Sequence, residues 1–234
     1  PSEPIQVGDE LALIAHDGMV AGDLPVLRNG DRAALTLLWQ GSGNMPGLIL
    51  SDAEGRWSVV MPAPSGSHDA LTRDWRAALI PADAHTGVAE ARLPDSTVIA
   101  RWAVEALPLQ TEIPAMDQVS GAVFPGVGEL IGYSGMGKDV SLAEAPQLTL
   151  IWQAGAASIE TSYTVFVQLL DSEGRVMAQS DSLPDNGARP TTGWRAGKVI
   201  ADPHTLQWNP GAAAGEATLI AGLYDAATGL RVPL

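Results

Sequence analysis

Trp194 to Leu206 reads Trp-Arg-Ala-Gly-Lys-Val-Ile-Ala-Asp-Pro-His-Thr-Leu, and its pattern occurs twice in the same chain. Trp75-Arg76-Ala77 stands 119 residues before Trp194-Arg195-Ala196, and Asp83-Ala84-His85-Thr86 stands 119 residues before Asp202-Pro203-His204-Thr205. The same spacing pairs Asp52-Ala53-Glu54-Gly55-Arg56 with Asp171-Ser172-Glu173-Gly174-Arg175, and Glu10-Leu11 with Glu129-Leu130. Leu35-Thr36-Leu37-Leu38-Trp39-Gln40 matches Leu148-Thr149-Leu150-Ile151-Trp152-Gln153 at 113, a slip of six that is restored after this strand. Insertions and deletions that cancel between strands belong in loops. A recurrent offset restricts the chain to an internal duplication, two units of about 110 residues, each large enough for its own core. The expected divisions are 1–106 for a first, degraded copy, 107–128 for a Pro/Gly linker, and 129–234 for the second copy.

Within each unit the signals are those of strands. Ala33 to Gln40 and Gln147 to Gln153 are nearly continuous apolar runs, as in the central strand of a sandwich. Asp-X-Glu-Gly-Arg, flanked by Leu48-Ile49-Leu50 and Trp57 to Met61 and again by Tyr163 to Leu170 and Val176 to Ser180, is a hairpin link. Pro62 to Asp74 and Leu183 to Gly193 are irregular stretches that feed a tryptophan, whose ring is expected to cover the core at the sandwich edge. Val98 to Val104 and Ala217 to Tyr224 close the copies, and Gly222 to Arg231 reads as a last hairpin. No amphipathic helix interrupts the series. The expected fold class is all-β: two tandem β-sandwich domains of immunoglobulin-like or jelly-roll type.

Composition narrows the partners. A formal charge of −14 with two lysines, Lys138 and Lys198, opposes binding to nucleic acid or an anionic membrane, which both select a basic face. Hydrophobic residues make up 46% of the chain, yet no run approaches the roughly 18 residues of a membrane span, so no membrane insertion is expected within this segment. Cysteine is absent, which excludes disulfides and thiolate metal sites. The start at Pro1 fits a mature product after signal removal or a trimmed piece.

Two constellations carry candidate chemistry. Trp194 with Asp181, Asn186, Arg189 and Arg195 has the residue types of a glycan site, a flat ring for a pyranose face and polar groups for hydroxyls. Trp208 is the other tryptophan that could supply such a platform. Against this, Trp39, Trp75, Trp152 and Trp194 recur between the copies, as core or edge-covering rings do. Asp202 with His204, like Asp83 with His85, places two metal-ligand types on one side of a strand, but a third ligand is not evident and the structural reading is preferred. Ser134-Gly135-Met136-Gly137-Lys138 lacks phosphate-loop spacing, and no G-x-S-x-G elbow occurs. No catalytic residue and no cofactor are expected.

The second copy resembles a known family. Thr164 to Asp171, Gln179-Ser180-Asp181, Pro184, Pro190-Thr191-Thr192-Gly193-Trp194, Gly197, Asp202 and Gly222-Leu223-Tyr224-Asp225 are similar to a β-sandwich repeat of bacterial envelope proteins. That repeat lies at the extracytoplasmic C-terminal end of membrane glycosyltransferase-like proteins, particularly from Chloroflexota. The resemblance covers about 129–234 and implies a non-catalytic module outside the cytoplasmic membrane. The resulting expectation is a structural or interaction module of a cell envelope or surface assembly, secreted or on the cell surface, with a protein partner or self-association. A carbohydrate-binding module is the alternative; a metal-dependent hydrolase using Asp202 and His204 is the weaker one.

Overall fold

The structure, a computed structural model, describes residues 3–7, 9–66 and 70–234. Parts of two expected irregular stretches, at 1–2, 8 and 67–69, lie outside the described residues. The chain forms two compact units, Pro1–Leu107 and Pro108–Leu234. Both are β-sandwiches.

In the first unit one sheet has the order β1-β2-β4-β7, with β1 Ile5–Val7, β2 Leu11–His16, β4 Arg32–Gly41 and β7 Leu71–Leu79. The other has the order β3-β9-β8-β5-β6, with β3 Val26–Arg28, β5 Leu48–Asp52, β6 Ser58–Met61, β8 Gly87–Arg92 and β9 Val98–Glu105. β4 shows why these residues make strands. Ala33, Leu35, Leu37 and Trp39 are buried, while the alternate residues face outward, the period of two that one covered face imposes. Leu48, Leu50, Met61, Ala89, Ala91 and Ile99 meet them from the second sheet.

The second unit repeats the scheme. One sheet runs β10-β11-β12-β15, with β10 Gln118–Phe124, β11 Gly128–Ser134, β12 Gln147–Ala154 and β15 Val199–Thr205. The other runs β16-β14-β13-β17, with β13 Thr164–Leu170, β14 Val176–Ser182, β16 Gln207–Trp208 and β17 Thr218–Tyr224. Leu148, Leu150 and Trp152 pack there against Val165, Val167, Leu169 and Leu223. The closing hairpin is reduced to a bridge between Tyr224 and Arg231 beside β17. Gly222, on β17, is obligatory for a local reason: a Cβ there would come within 2.7 Å of the Phe166 ring, which lies over it. The Arg231 guanidinium stands 4.3 Å from the centroid of the same ring.

The two Asp-X-Glu-Gly-Arg links are hairpin turns, as their sequence indicates. Asp52 Oδ1 accepts the N–H of Glu54 at 2.8 Å, and its carboxylate pairs with Arg56 through Nη2 at 2.8 Å. Asp171 accepts from Glu173 N and Arg175 N, each at 2.9 Å, and from Arg175 Nε at 2.8 Å. Gly55 and Gly174 hold φ of 76° and 78°, which a side chain would strain.

Two expectations change. Within 107–128, read as linker, Gln118–Phe124 forms β10 and pairs with β11. Pro108, Pro114, Pro125 and Gly126 bracket this strand, so the average composition of the window conceals it. The larger change concerns Trp-Arg-Ala. Trp75 lies within β7 and is 63% exposed, whereas Trp194 follows the 3-10 turn Thr191–Gly193 and is 3% exposed. Strand register aligns other residues: Leu37 faces Asp74 across β4 and β7, and Leu150 faces Asp202 across β12 and β15. Asp74 and Arg76 therefore occupy the places of Asp202 and His204. Asp83 and His85 are exposed in a turn instead.

Candidate functional site

The paired carboxylates organise the polar groups between the sheets. In the second unit Asp202, buried on β15, accepts the Trp152 indole N–H through Oδ2 at 3.1 Å and the Asp185 backbone N–H through Oδ1 at 2.9 Å. His204 Nε2 lies 3.0 Å from the same Oδ2, and its Nδ1 lies 3.1 Å from Ser180 Oγ on β14 of the opposite sheet. In the first unit the Trp39 indole N–H donates to Asp74 Oδ2 at 3.1 Å, and Arg76 Nε donates to the same oxygen at 2.6 Å. Arg76 Nη1 then reaches across to the Met61 carbonyl at 3.3 Å and the Pro46 carbonyl at 3.0 Å. Met61 faces Leu48 as Ser180 faces Val167, so both chains of bonds end at the same place in the facing sheet.

Ser180, His204 and Asp202 have the connectivity of a nucleophile, a base and its orienting acid. Their surroundings give it a structural use. His204 is enclosed, both Asp202 oxygens are engaged, and the first unit builds the same tie from an arginine and a carbonyl, which have no nucleophile. Asp202 and His204 bond each other instead of converging on a cation. Among the described residues, no three His, Cys, Asp or Glu side chains gather as a metal site. The metal pair is thus replaced by a polar bridge between sheets.

The expected glycan group is not assembled around an open ring. Trp194 stacks at 6.0 Å from Trp152, which meets Phe124 edge-on at 5.4 Å, and its indole N–H donates to the Arg189 carbonyl at 3.0 Å. The ring covers the core, so no sugar face reaches it. Asp181 projects from β14 on the outer face, beside Tyr224, whose hydroxyl is pushed above the usual range by burial first and then by that carboxylate. Asn186 is exposed in the 3-10 turn Pro184–Gly187 at φ 52°. Arg189 bonds Asp185 at 3.2 Å. Arg195 is exposed, two residues after Gly193 and three before Lys198.

Sequence reasoning missed two places. The first is β7. Gly41 N–H donates to the Ala70 carbonyl and Ile80 N–H to that of Asp31, which fixes the phase of the β4–β7 ladder. Even-numbered residues of β7 bond to β4. Leu71, Arg73, Trp75, Ala77 and Leu79 point their backbone groups, unpaired by any strand, away from the sheet. The other edges carry protection: β1, β3, β6 and β16 are two to four residues long, and β10 has a bulge at Val119/Ala122 with Gly121 at φ 74°. β15 contains Pro203 and is covered by Asp185 and by the Gln110 carbonyl, which accepts the Val199 N–H at 2.7 Å. β7 has nine residues, no proline and no bulge. Strict alternation from Leu71 to Leu79 was the available signal.

The second place is a groove of about 860 Å³ at the loop end of the second unit. Half-buried Tyr133 and Trp208 and the side chains of Met136 and Met177 line it, with Lys138 and Glu216 among its polar groups. The Trp208 indole N–H is held by the Glu144 carbonyl at 2.8 Å.

No protein-family model matches the chain, and no curated protein does. Among solved structures it is similar to the native conformation of alpha-2-macroglobulin from E. coli, at 14% identity and TM-score 0.27, over 96% of this chain and 14% of that one. It is similar to a point mutant of the Salmonella protein at 12% identity and TM-score 0.25, over 92% and 14%. Salmonella alpha-2-macroglobulin reacted with methylamine gives 14% and 0.25, over 95% and 14%. The chain thus spans about one seventh of each of these structures, and likeness at this level assigns neither family nor activity.

Proposed function

We propose that this chain is a non-catalytic interaction module of a bacterial envelope or surface assembly, working outside the cytoplasm and associating with a second copy of itself through β7. The observation that carries this reading is the uncovered backbone edge of β7 with Trp75 in its middle, 63% exposed. A two-fold antiparallel pairing centred on Trp75 sets Leu71 opposite Leu79 of the second copy and Arg73 opposite Ala77. All five outward residues then meet partners without like charges face to face. The two Arg73 side chains are four residues apart along the strand, roughly 13 Å, beyond the screening length of about 8 Å at physiological salt. The extracytoplasmic location rests on the resemblance of 129–234 to the envelope repeat. The polar ties support the non-catalytic part, since both units use them to join sheets.

A second reading has its own observation, the groove beside Trp208 and Tyr133. Its mixture of aromatic and polar groups suits a glycan, and it replaces Trp194 as the place where one would bind. Size-exclusion chromatography with light scattering separates the readings. The expected result is a dimer that Trp75→Ala converts to a folded monomer. A parent protein that stays monomeric at every concentration rejects self-association; if its elution then shifts with one surface polysaccharide, and Trp208→Ala removes the shift, the glycan reading takes its place.

A further inference from the structure

Lys198 is one of two lysines in the chain, and only 2% of it is exposed. It stands one residue before β15. Its N–H donates to the Arg195 carbonyl at 2.9 Å, closing a four-residue turn in which Gly197, at φ 74°, donates to the Ala154 carbonyl at 3.0 Å. A buried lysine ordinarily lies against a carboxylate, because an ammonium taken out of water is costly unless paired. Among the described residues the Lys198 ammonium has no hydrogen bond and no ion pair, in a chain with 27 acidic residues.

The groups that act on it are cations. Arg195 belongs to the same turn and is in no ion pair among the described residues. Arg189 is brought alongside by its carbonyl, which accepts the Trp194 indole N–H, and its Nε and Nη1 bond Asp185 and the Pro108 carbonyl. Burial first, then Arg189 and Arg195, push the Lys198 ammonium down to about 8. Three cations share one corner, and the innermost lacks a counter-charge.

We propose that Lys198, Arg189 and Arg195 form a binding site for a small oxyanion, a carboxylate or phosphate group, which enters across the exposed turn 195–197. Planar guanidinium groups grip such oxygens in pairs, and the ammonium supplies a point charge beneath them. The bound anion favours the protonated lysine, so binding is tighter below pH 8 and takes up a proton above it. Inorganic phosphate gains negative charge over the same range, which by itself would strengthen binding.

The test is thermal melting of the full chain in sodium phosphate and in sodium acetate against sodium chloride of equal ionic strength, at pH 7.0 and 9.5. Parent protein, Lys198→Met and Arg195→Gln are compared. The expected result is a rise of a few degrees over chloride at pH 7.0 that shrinks at pH 9.5 and is mostly lost in both variants. A rise with both anions identifies a carboxylate-sized site; a rise with phosphate alone identifies phosphate. The same rise in parent and Lys198→Met, or no rise in the parent, overturns the proposal. Arg195 is exposed, so Arg195→Gln reports on the site even if Lys198→Met does not fold.

Discussion

Two tryptophans with identical following residues have opposite surroundings, and the difference is one of face. On a strand, side chains alternate between core and solvent, so aligning two ladders an odd number of residues out of step exchanges inside for outside. The letter match of Trp75 with Trp194 has offset 119, whereas the ladders align Asp74 with Asp202 at offset 128, an odd difference. Trp194→Ala should therefore destabilise its unit by about 3–5 kcal/mol, while Trp75→Ala should change stability by no more than about 0.5 kcal/mol. Denaturant unfolding of the two variants checks this, and equal losses would refute the assignment of faces. The ties differ likewise. Asp74→Ala strands the Arg76 guanidinium, which is buried and permanently charged, at a cost of about 3–5 kcal/mol. His204→Ala leaves Asp202 with the indole and the Asp185 N–H, and should cost about 1–3 kcal/mol. A His204→Ala loss as large as that of Asp74→Ala would make the second tie a charged one.

At the level of elements, legibility followed how local the determinants are. The hairpins at Asp52 and Asp171 were readable because one turn contains the acid, the glycine and the arginine that bonds the acid. Trp39 and Trp152 were readable as equivalent because long apolar strands surround them. β10 was not, since its partner strand and not its own composition makes Gln118–Phe124 a strand. The edges were not readable either, because whether a strand is last in its sheet depends on the order of all the others. The candidate glycan site failed for a related reason: residues near Trp194 in sequence lie on both faces of the second sheet and in the loop beside it. The hairpins also respond to acid. Asp52 is held below the usual carboxylate range by the Arg56 side chain first and by backbone N–H groups, and Asp171 by the Arg175 backbone N–H first and then its side chain. A depressed carboxylate stabilises the fold above its unfolded pKa, and that contribution disappears as pH falls through the folded value. Stability should therefore fall with pH below about 4, and Asp52→Asn should flatten the first unit's part of that slope. A slope unchanged in Asp52→Asn would assign the acid sensitivity to other carboxylates.

For the whole molecule, charge decides how self-association should respond to salt. Each chain carries −14, so two copies repel wherever they meet, and that repulsion is long-ranged when ions are few. The β7 edge contributes backbone hydrogen bonds and apolar contacts from Leu71, Trp75 and Leu79, which salt leaves largely intact. Raising ionic strength from 0.01 to 0.15 M shortens the screening length from about 30 to about 8 Å, so the repulsion weakens while the contact stays. The dimer should become tighter with added sodium chloride, and sedimentation at several salt concentrations measures this directly. An interface made of acidic residues on one copy and Arg73 or Arg32 on the other would respond in the opposite sense. Weakening by salt would thus reject a contact centred on Trp75 even if a dimer formed. Strengthening that persists in Trp75→Ala would place the contact elsewhere, because only the β7 edge has that ring at its centre.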